Sequence, residues 1–255
     1  MKIITLNVWG GKMFEPLIDF IRKHAEDTDI FCFQDCLFGD KAEFSPLRKG
    51  RINLFHELES VLPDFNSVIY RDEEESFFAG EMLPADVGCG QVIFLRKNIE
   101  LLESGGFRSH PNGSYYKGAT LVSGRCQWIK IHLNEGDVAI LSVHGLWQKG
   151  SEKKDTPERL EQSAMIRKFS DAHEGKKILC GDFNIIQDGN ALGILEEGMT
   201  NLVKKYNISS TRNSFYSKDE KFADYFFVSN DVETIDFKTF PDEVSDHLAL
   251  FLDWK

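Results

Sequence analysis

The 255-residue chain reads as a layered α/β protein, and three observations carry that reading. Apolar runs of strand length alternate along the whole chain with segments whose apolar residues recur at helical spacing. The apolar share is 42%, with 21 phenylalanines, which is enough for a large core and too much for a disordered chain. No repeat, low-complexity tract or linker interrupts the alternation, so residues 1–255 are expected to form one domain.

Lys2-Ile3-Ile4-Thr5-Leu6 opens the chain as a strand. From Met13 to Asp27, Phe14, Leu17, Ile18 and Ile21 form the i, i+3, i+4, i+7 stripe of a helix lying on a sheet. Asp29-Ile30-Phe31-Cys32-Phe33 follows as a buried strand, expected to end at Gln34-Asp35. Residues 51–62 give a second helix, stopped near Pro63. Strand-like runs come at 65–71, 90–96, 119–133 and 137–143, with Gly136-Asp137 as the hairpin turn between the last two. In Asp155-Thr156-Pro157-Glu158, Thr156 is the N-cap and Pro157 the first residue of a helix reaching Ala172. Further strands are expected at 177–181, 222–229, 233–239 and 247–253. The long stretches 35–50, 72–88, 105–118, 145–155 and 207–221 are expected to be exposed loops that carry substrate contacts. Within them, Asp72-Glu73-Glu74-Glu75 reads as a solvated charge run.

A formal charge of −11 opposes sequence-independent binding to long duplex DNA, whose affinity comes from phosphate neutralisation by Lys and Arg. A local basic groove remains compatible with it, and a carboxylate-rich metal site would add to the negative total. The five cysteines (Cys32, Cys36, Cys89, Cys126, Cys180) lack a CxxC pair and mostly lie in apolar strand-like runs, which favours buried thiols over disulfides or zinc ligands. No apolar run approaches a membrane span, and the first strand follows Met1 with no room for a cleavable leader. The expected location is therefore the cytoplasm, and no obligate protein partner is evident.

Two polar clusters interrupt apolar strands without an obvious capping role. Gly181-Asp182-Phe183-Asn184 follows Lys177-Ile178-Leu179-Cys180, and Ser245-Asp246-His247 precedes Leu248-Ala249-Leu250-Phe251-Leu252. Together they offer two carboxylates, a carboxamide and an imidazole, a set able to hold a hard cation and to handle protons around a phosphate. Asn7 ends the first strand, Gln34-Asp35 the second, and His144 the run Ile140-Leu141-Ser142-Val143. Asp224 stands at the mouth of the apolar run Tyr225-Phe226-Phe227-Val228, where an unpaired charge would be costly. Taken singly, an Asn at a strand end is a turn former, and a lone His or Asp is a surface or capping group.

Taken in order, these six pieces resemble the endonuclease/exonuclease/phosphatase superfamily over residues 2–254. Its pattern is an Asn after strand one, Gln-Glu after the next strand, a His or Tyr strand end, Gly-Asp-x-Asn, an Asp before an aromatic strand, and a terminal Ser-Asp-His. The resemblance implies a deoxyribonuclease I-like four-layer α/β sandwich, two packed mixed β-sheets flanked by helices, with the site at one edge. It also implies a division of labour. Asn7, Asp35 and Asp246 would hold Mg²⁺ or Mn²⁺ against a phosphate oxygen. Asp182 and Asn184 would orient the attacking water and a non-bridging oxygen. His247, held by Asp224, would handle a proton, although Asp182 is the competing general base. His144 would donate to the phosphate, as would Arg125 in Ser123-Gly124-Arg125-Cys126. Histidine at position 144 resembles the deoxyribonuclease, sphingomyelinase and phosphatase branches, whereas abasic endonucleases look different, with tyrosine there. One departure is Asp35 where the family has glutamate. A carboxylate shorter by one methylene binds through water or needs a closer strand, and Mg²⁺ tolerates either.

The implied activity is divalent-metal-dependent phosphoester hydrolysis, and the preferred form is a phosphodiesterase or nuclease acting on nucleic-acid ends or short single strands. A small phosphate ester or phospholipid head group is the alternative substrate, and a non-catalytic binding relative is the alternative of another class. For nucleic acid, the basic segment with Trp147, Lys149, Lys153, Lys154 and Arg159 is the expected phosphate cradle.

Overall fold

The computed structural model describes residues 1–45, 49–71, 77–78, 81–110, 121–122 and 124–255. The Asp72–Glu75 charge run and the start of the 119–133 run lie outside the described residues.

The first half of the chain runs β1 (Lys2–Asn7), α1 (Phe14–Ala25), β2 (Ile30–Phe38), α2 (Leu54–Val61), β3 (Phe65–Arg71), the short β4 (Phe77–Phe78) and β5 (Glu81–Met82), β6 (Gly88–Arg96) and β7 (Glu100–Arg108). The second half runs β8 (Leu121–Val122), β9 (Arg125–Leu133), β10 (Gly136–His144), β11 (Trp147–Gln148), α3 (Pro157–Asp171), β12 (Lys176–Asp182), α4 (Asn190–Glu196), β13 (Met199–Asn201), α5 (Leu202–Lys205), β14 (Asp224–Ser229), β15 (Thr234–Thr239) and β16 (Leu250–Trp254).

Two six-stranded sheets result, in the orders β15-β16-β1-β2-β6-β3 and β13-β14-β12-β10-β9-β7. Each is mixed: β1 runs parallel to β2 and β10 parallel to β12, and the neighbours outside these pairs are antiparallel. Strand alternation builds the layers. Ile3, Ile30, Cys32, Ile93 and Leu95 of the first sheet share a buried cluster with Ile129, Ile131, Ile140, Ile178 and Cys180 of the second. The neighbouring residues Ile4, Leu6, Phe31, Phe33 and Phe94 face the other way, onto α1 and α2. On the far side of the second sheet, Ile166 of α3 and Ala191, Leu192 and Leu195 of α4 complete the fourth layer. This is the four-layer α/β sandwich expected from the sequence. All five cysteines are free and buried in it. Among the described residues no helix is long and apolar enough to cross a membrane.

Several boundaries differ from expectation, each for a local reason. The second strand does not end at Gln34-Asp35. It continues to Phe38 through a bulge between Phe33 and Cys36, at which Asp35 takes a left-handed backbone (φ 58°). Aspartate is among the few L residues that tolerate this conformation, and a bulge re-aims its side chain. The β9–β10 hairpin turns at Asn134-Glu135, because Gly136 already pairs with Leu133. Segment 105–108, expected as loop, belongs to edge strand β7, whose exposed face carries no alternation to read. Helix α4 is only 7 residues long, too short for a periodic signal, and its first amides are capped from a distance: Asp155 accepts from Asn190 N (2.6 Å) and Ala191 N (3.0 Å). The expected cap at Thr156 is present, its Oγ1 accepting from Arg159 N at 3.3 Å. The last strand starts at Leu250; before it His247 bridges to Arg212, Leu248 N donates to Thr211 O, and Ala249 O accepts from Phe240 N.

Beneath the strand ends a polar link joins the sheets. Gln34, fully buried, donates through Nε2 to Thr5 Oγ1 (3.1 Å) and across the interface to Ser142 Oγ (3.0 Å). Gln91 donates to Ser142 O at 2.9 Å. Replacing Gln34 with alanine leaves buried acceptors without donors, which costs about 1–3 kcal/mol. Gln34→Ala is therefore expected to lower the urea midpoint at unchanged slope, and an unaltered midpoint would show that the link carries no stability.

Candidate active site

Strand register alone assembles half of the site. His144 lies opposite Arg125 across β9–β10, beside Asp182 across β10–β12, and Asp182 lies opposite Asp224 across β12–β14. Paired residues leave a sheet on the same face, so these four side chains form one row across the edge of the second sheet. With strands about 4.8 Å apart, the row spans about 14 Å. The first sheet supplies the rest from facing strand ends: Asn7 at the end of β1, Asp35 in the β2 bulge, and Asp246-His247 before β16.

Each residue of Gly181-Asp182-Phe183-Asn184 has a distinct task. Gly181 takes φ 122°, and a Cβ there would stand 2.2 Å from Val143 O, so only glycine lets β12 end this close to β10. Phe183 is fully buried and packs edge-on against Tyr225 and Phe227. Asn184 adopts φ 54° and turns the chain, its amide nitrogen donating to Gly145 O at 3.1 Å. Between these anchors Asp182, 2% exposed, becomes the hub of the site. Its Oδ1 accepts from Asn184 N (3.0 Å) and its Oδ2 from Asn7 Nδ2 (3.2 Å), with His247 Nε2 at 3.6 Å and His144 Nε2 at 3.9 Å from the same oxygen.

Asp224 and His247 form a buried dyad, with His247 Nδ1 2.8 Å from Asp224 Oδ2. Segment 207–221, expected as a substrate loop, is what orients it. Thr211 Oγ1 accepts from Ala223 N (3.1 Å) and Asp224 N (3.2 Å), and Leu248 N donates to Thr211 O at 2.9 Å. Burial pushes the Asp224 carboxyl up to about 6. Burial, reinforced by the Arg212 charge, pushes the His247 imidazole down to about 3. Near pH 7 the imidazole is thus neutral beside an ionised carboxylate. Its Nδ1–H then donates to Asp224, and its Nε2 lone pair faces the cleft.

The residues expected to hold a metal are drawn into the same cleft, with their own partners. Asp35 is half-buried; its Oδ2 is 3.5 Å from Asn7 Nδ2, and its Oδ1 lies 3.5 Å from His144 Nδ1. Asp246 accepts from Arg212 Nη1 at 2.9 Å through Oδ2, while its buried Oδ1 accepts no hydrogen bond from the described residues. Among the described residues, the tightest group of metal-competent donors is Asp182, Asp224 and His247, with ligand atoms within 4.8 Å of one another. That group differs from the expected set Asn7, Asp35 and Asp246, and Asp182 connects the two through its bond to Asn7. Oxygen donors dominate both, and the unsatisfied Asp246 oxygen fits a hard cation.

Arg125 and His144 are both buried. The basic segment 145–162 divides: Trp147, Lys149 and Lys154 face solvent, whereas Lys153 and Arg159 are buried. Arg159 is structural, donating to Ser151 Oγ (2.7 Å) and Lys154 O (2.8 Å). Arg212 is a candidate-site residue that sequence reading missed. Its partner Asp246 lies 34 residues away, so no local pattern marks it.

Gly181→Ala is expected to keep the fold and lose activity. The added carbon forces the β12 end away from Val143 O and shifts Asp182, a displacement of the kind that costs about 10²-fold. Near-UV circular dichroism and turnover check this together, and unchanged turnover would remove Asp182 placement from the account.

The sequence model of the Endonuclease/Exonuclease/phosphatase family matches residues 4–247. No curated protein matches the chain. Among solved structures, an endonuclease/exonuclease/phosphatase family protein from Leptotrichia buccalis C-1013-b is similar at 20% identity and TM-score 0.72, over 100% of this chain and 99% of its own. A humanized D. rerio TDP2 is similar at 13% identity and TM-score 0.71, over 100% and 98%. A mannosyl-6-phosphatase of Bacteroides thetaiotaomicron VPI-5482 is similar at 18% identity and TM-score 0.64, over 100% and 99%. At such identities the structural likeness carries the fold alone. The match over residues 4–247 carries the family, and this chain belongs to the endonuclease/exonuclease/phosphatase family.

Proposed function

We propose that this protein is a divalent-metal-dependent phosphodiesterase that acts on nucleic-acid ends or short single strands. The observation that supports it most is the Asp182 hub, where a buried carboxylate meets Asn7, His144 and His247 from both sheets. No structural need explains burying Asp182 and Asp224 beside two imidazoles, since buried charges cost stability unless they are paired or used.

Asn7, Asp35 and Asp246 would hold Mg²⁺ or Mn²⁺, with Asp182 within reach. The ion's contribution is to neutralise charge on the phosphate and on the leaving oxygen. Asp182 and Asn184 orient the attacking water and a non-bridging oxygen. The proton falls to His247, whose ring is fixed by the Asp224 carboxylate at hydrogen-bond distance. Asp224 keeps Nε2 the free nitrogen and stabilises the imidazolium as it forms. His144 and Arg125, neighbours in the row, donate to phosphate oxygens. The acidic total limits nucleic-acid contact to a short local stretch, which favours ends and single strands over long duplexes.

Chelation with EDTA is expected to abolish hydrolysis of bis-p-nitrophenyl phosphate and single-stranded oligonucleotides, and Mg²⁺ or Mn²⁺ to restore it. Asp35→Ala should raise the metal concentration needed for half-maximal rate. Full activity in EDTA would exclude the mechanism.

His247→Ala should lower kcat by about 10²–10⁴-fold, the usual range for removing proton transfer. The wild-type pH profile should fall as pH drops through about 6, where Asp224 takes a proton and ceases to orient His247. A flat profile from pH 7 down to 5 would contradict the dyad. Wild-type turnover by His247→Ala on every diester tested would favour a non-catalytic binding role instead.

A further inference from the structure

Residues 149–155 turn back toward the cleft through two consecutive non-glycine residues of left-handed backbone, Glu152 (φ 49°) and Lys153 (φ 61°). Such a pair is disfavoured for L side chains and persists only where its surroundings enforce it. Here Ile186 N donates to Lys153 O at 3.1 Å, and the buried Arg159 ties the turn through Ser151 Oγ and Lys154 O. The turn drives Lys153 inward to 6% exposure, while Lys154 stays in solvent with Glu152 (3.0 Å).

The buried ammonium has little to meet. Lys153 Nζ is 3.4 Å from Phe222 O and 4.6 Å from the centre of the Tyr216 ring, and among the described residues no carboxylate pairs with it. Over the same ring, at 4.3 Å, lies the Arg212 guanidinium. Arg212 spends Nη1 on Asp246, and its buried Nε has no partner among the described residues. Burial and the Arg212 charge push Lys153 down to about 8. Two buried cations on one ring, with donors to spare, form an arrangement that an anion would relieve. Beside Lys153 and Tyr216 opens a cavity of about 660 Å³, lined also by Trp147, Lys154 and Lys218 and by the carboxylates of Glu152, Asp219 and Glu220, while Arg212 lies across the Tyr216 ring outside that lining.

We propose that Lys153 and Arg212, gathered on Tyr216, seat a second phosphate of the substrate next to the scissile one. The preferred substrate is then a phosphodiester that carries a terminal phosphate close to the cleaved bond, and a base or sugar between the two phosphates lies against Tyr216 and Trp147. This inference rests on the phosphodiesterase reading and narrows its substrate class. Arg212 links the two positions, since one guanidinium touches both the Asp246 carboxylate of the cleft and the ring of the second seat.

Two p-nitrophenyl esters of thymidine 5′-phosphate, one with and one without a 3′-phosphate, separate the seat from the chemistry. Wild-type protein is expected to show a KM about tenfold lower for the 3′-phosphorylated ester, and Lys153→Gln to shrink the ratio to about twofold, mostly through KM. Hydrolysis of both esters with equal KM by the wild type would overturn the second seat and leave the hydrolase reading intact. Calorimetric binding of thymidine 3′,5′-bisphosphate and of glucose 1,6-bisphosphate without metal provides a readout independent of turnover. It also separates a nucleotide from a sugar as the group between the phosphates. Affinity for at least one of them that weakens about tenfold in Lys153→Gln supports the seat, and unchanged or absent binding of both overturns it. Lys153-dependent binding with no hydrolysis of either ester would uphold the seat and overturn the phosphodiesterase. A thermal midpoint close to wild type confirms that Lys153→Gln is folded; if it is not, the wild-type KM ratio alone decides.

Discussion

A carboxylate can be buried between two sheets only if both sheets send donors to it, and Asp182 is held in this way. Asn7 reaches it from the first sheet, and the Asn184 backbone reaches it from the second. One layer deeper, Gln34 bonds Ser142 across the same interface. These polar links fix how the strand ends of one sheet stand over those of the other. An interface of isoleucine and valine alone would exclude water equally well but would leave that offset weakly specified. The candidate site depends on the offset, because Asn7, Asp35, Asp246 and His247 come from one side and Arg125, His144, Asp182 and Asp224 from the other.

The second sheet achieves its part cheaply in information. Once β9, β10, β12 and β14 pair in register, Arg125, His144, Asp182 and Asp224 are aligned without further instruction. The first sheet needs special devices: a bulge with left-handed Asp35, and a loop that captures the residues before β16. Thr211 is the central clamp of that loop, with its hydroxyl accepting from the Asp224 amide and its carbonyl from Leu248. The acid and the imidazole of the dyad are thus positioned through one residue, whose side chain also bonds the Asp224 carboxyl.

Electrostatically, an acidic chain has built a small cationic enclave around an acidic centre. Asp35, Asp182, Asp224 and Asp246 converge in the cleft, and buried Arg212 and Lys153 stand at its border. Asp246 and Arg212 neutralise each other in part, yet Asp246 keeps one unsatisfied oxygen and Arg212 one unsatisfied nitrogen. Residual demand of both signs suits a ligand that brings a cation and an anion together, as a metal-bound phosphate does. The long-range field of the −11 chain still opposes extended polyanions, in contrast to the local cationic pair.

By itself the sequence determined the layered α/β class, the main strands and helices, and the identity of the polar groups at strand ends. Those follow from local rules: apolar periodicity, the Thr156-Pro157 cap, and clusters such as Gly181-Asp182-Phe183-Asn184 that break an apolar run. It also supplied the order of six motif groups, which pointed to the family although each group alone was ambiguous. Only the tertiary structure decided what these groups touch. The bulge at Asp35, the cap that Asp155 places on α4, and the Arg212–Asp246 pair are contacts between residues distant in sequence, and no short window encodes them. Lys153 shows the difference most clearly. In sequence it is one of several lysines in a polar stretch, and a left-handed turn held by Arg159 and Ile186 is what buries it among charges. Periodicity reports which face of an element is apolar, whereas burial of a charge depends on which distant groups arrive to receive it.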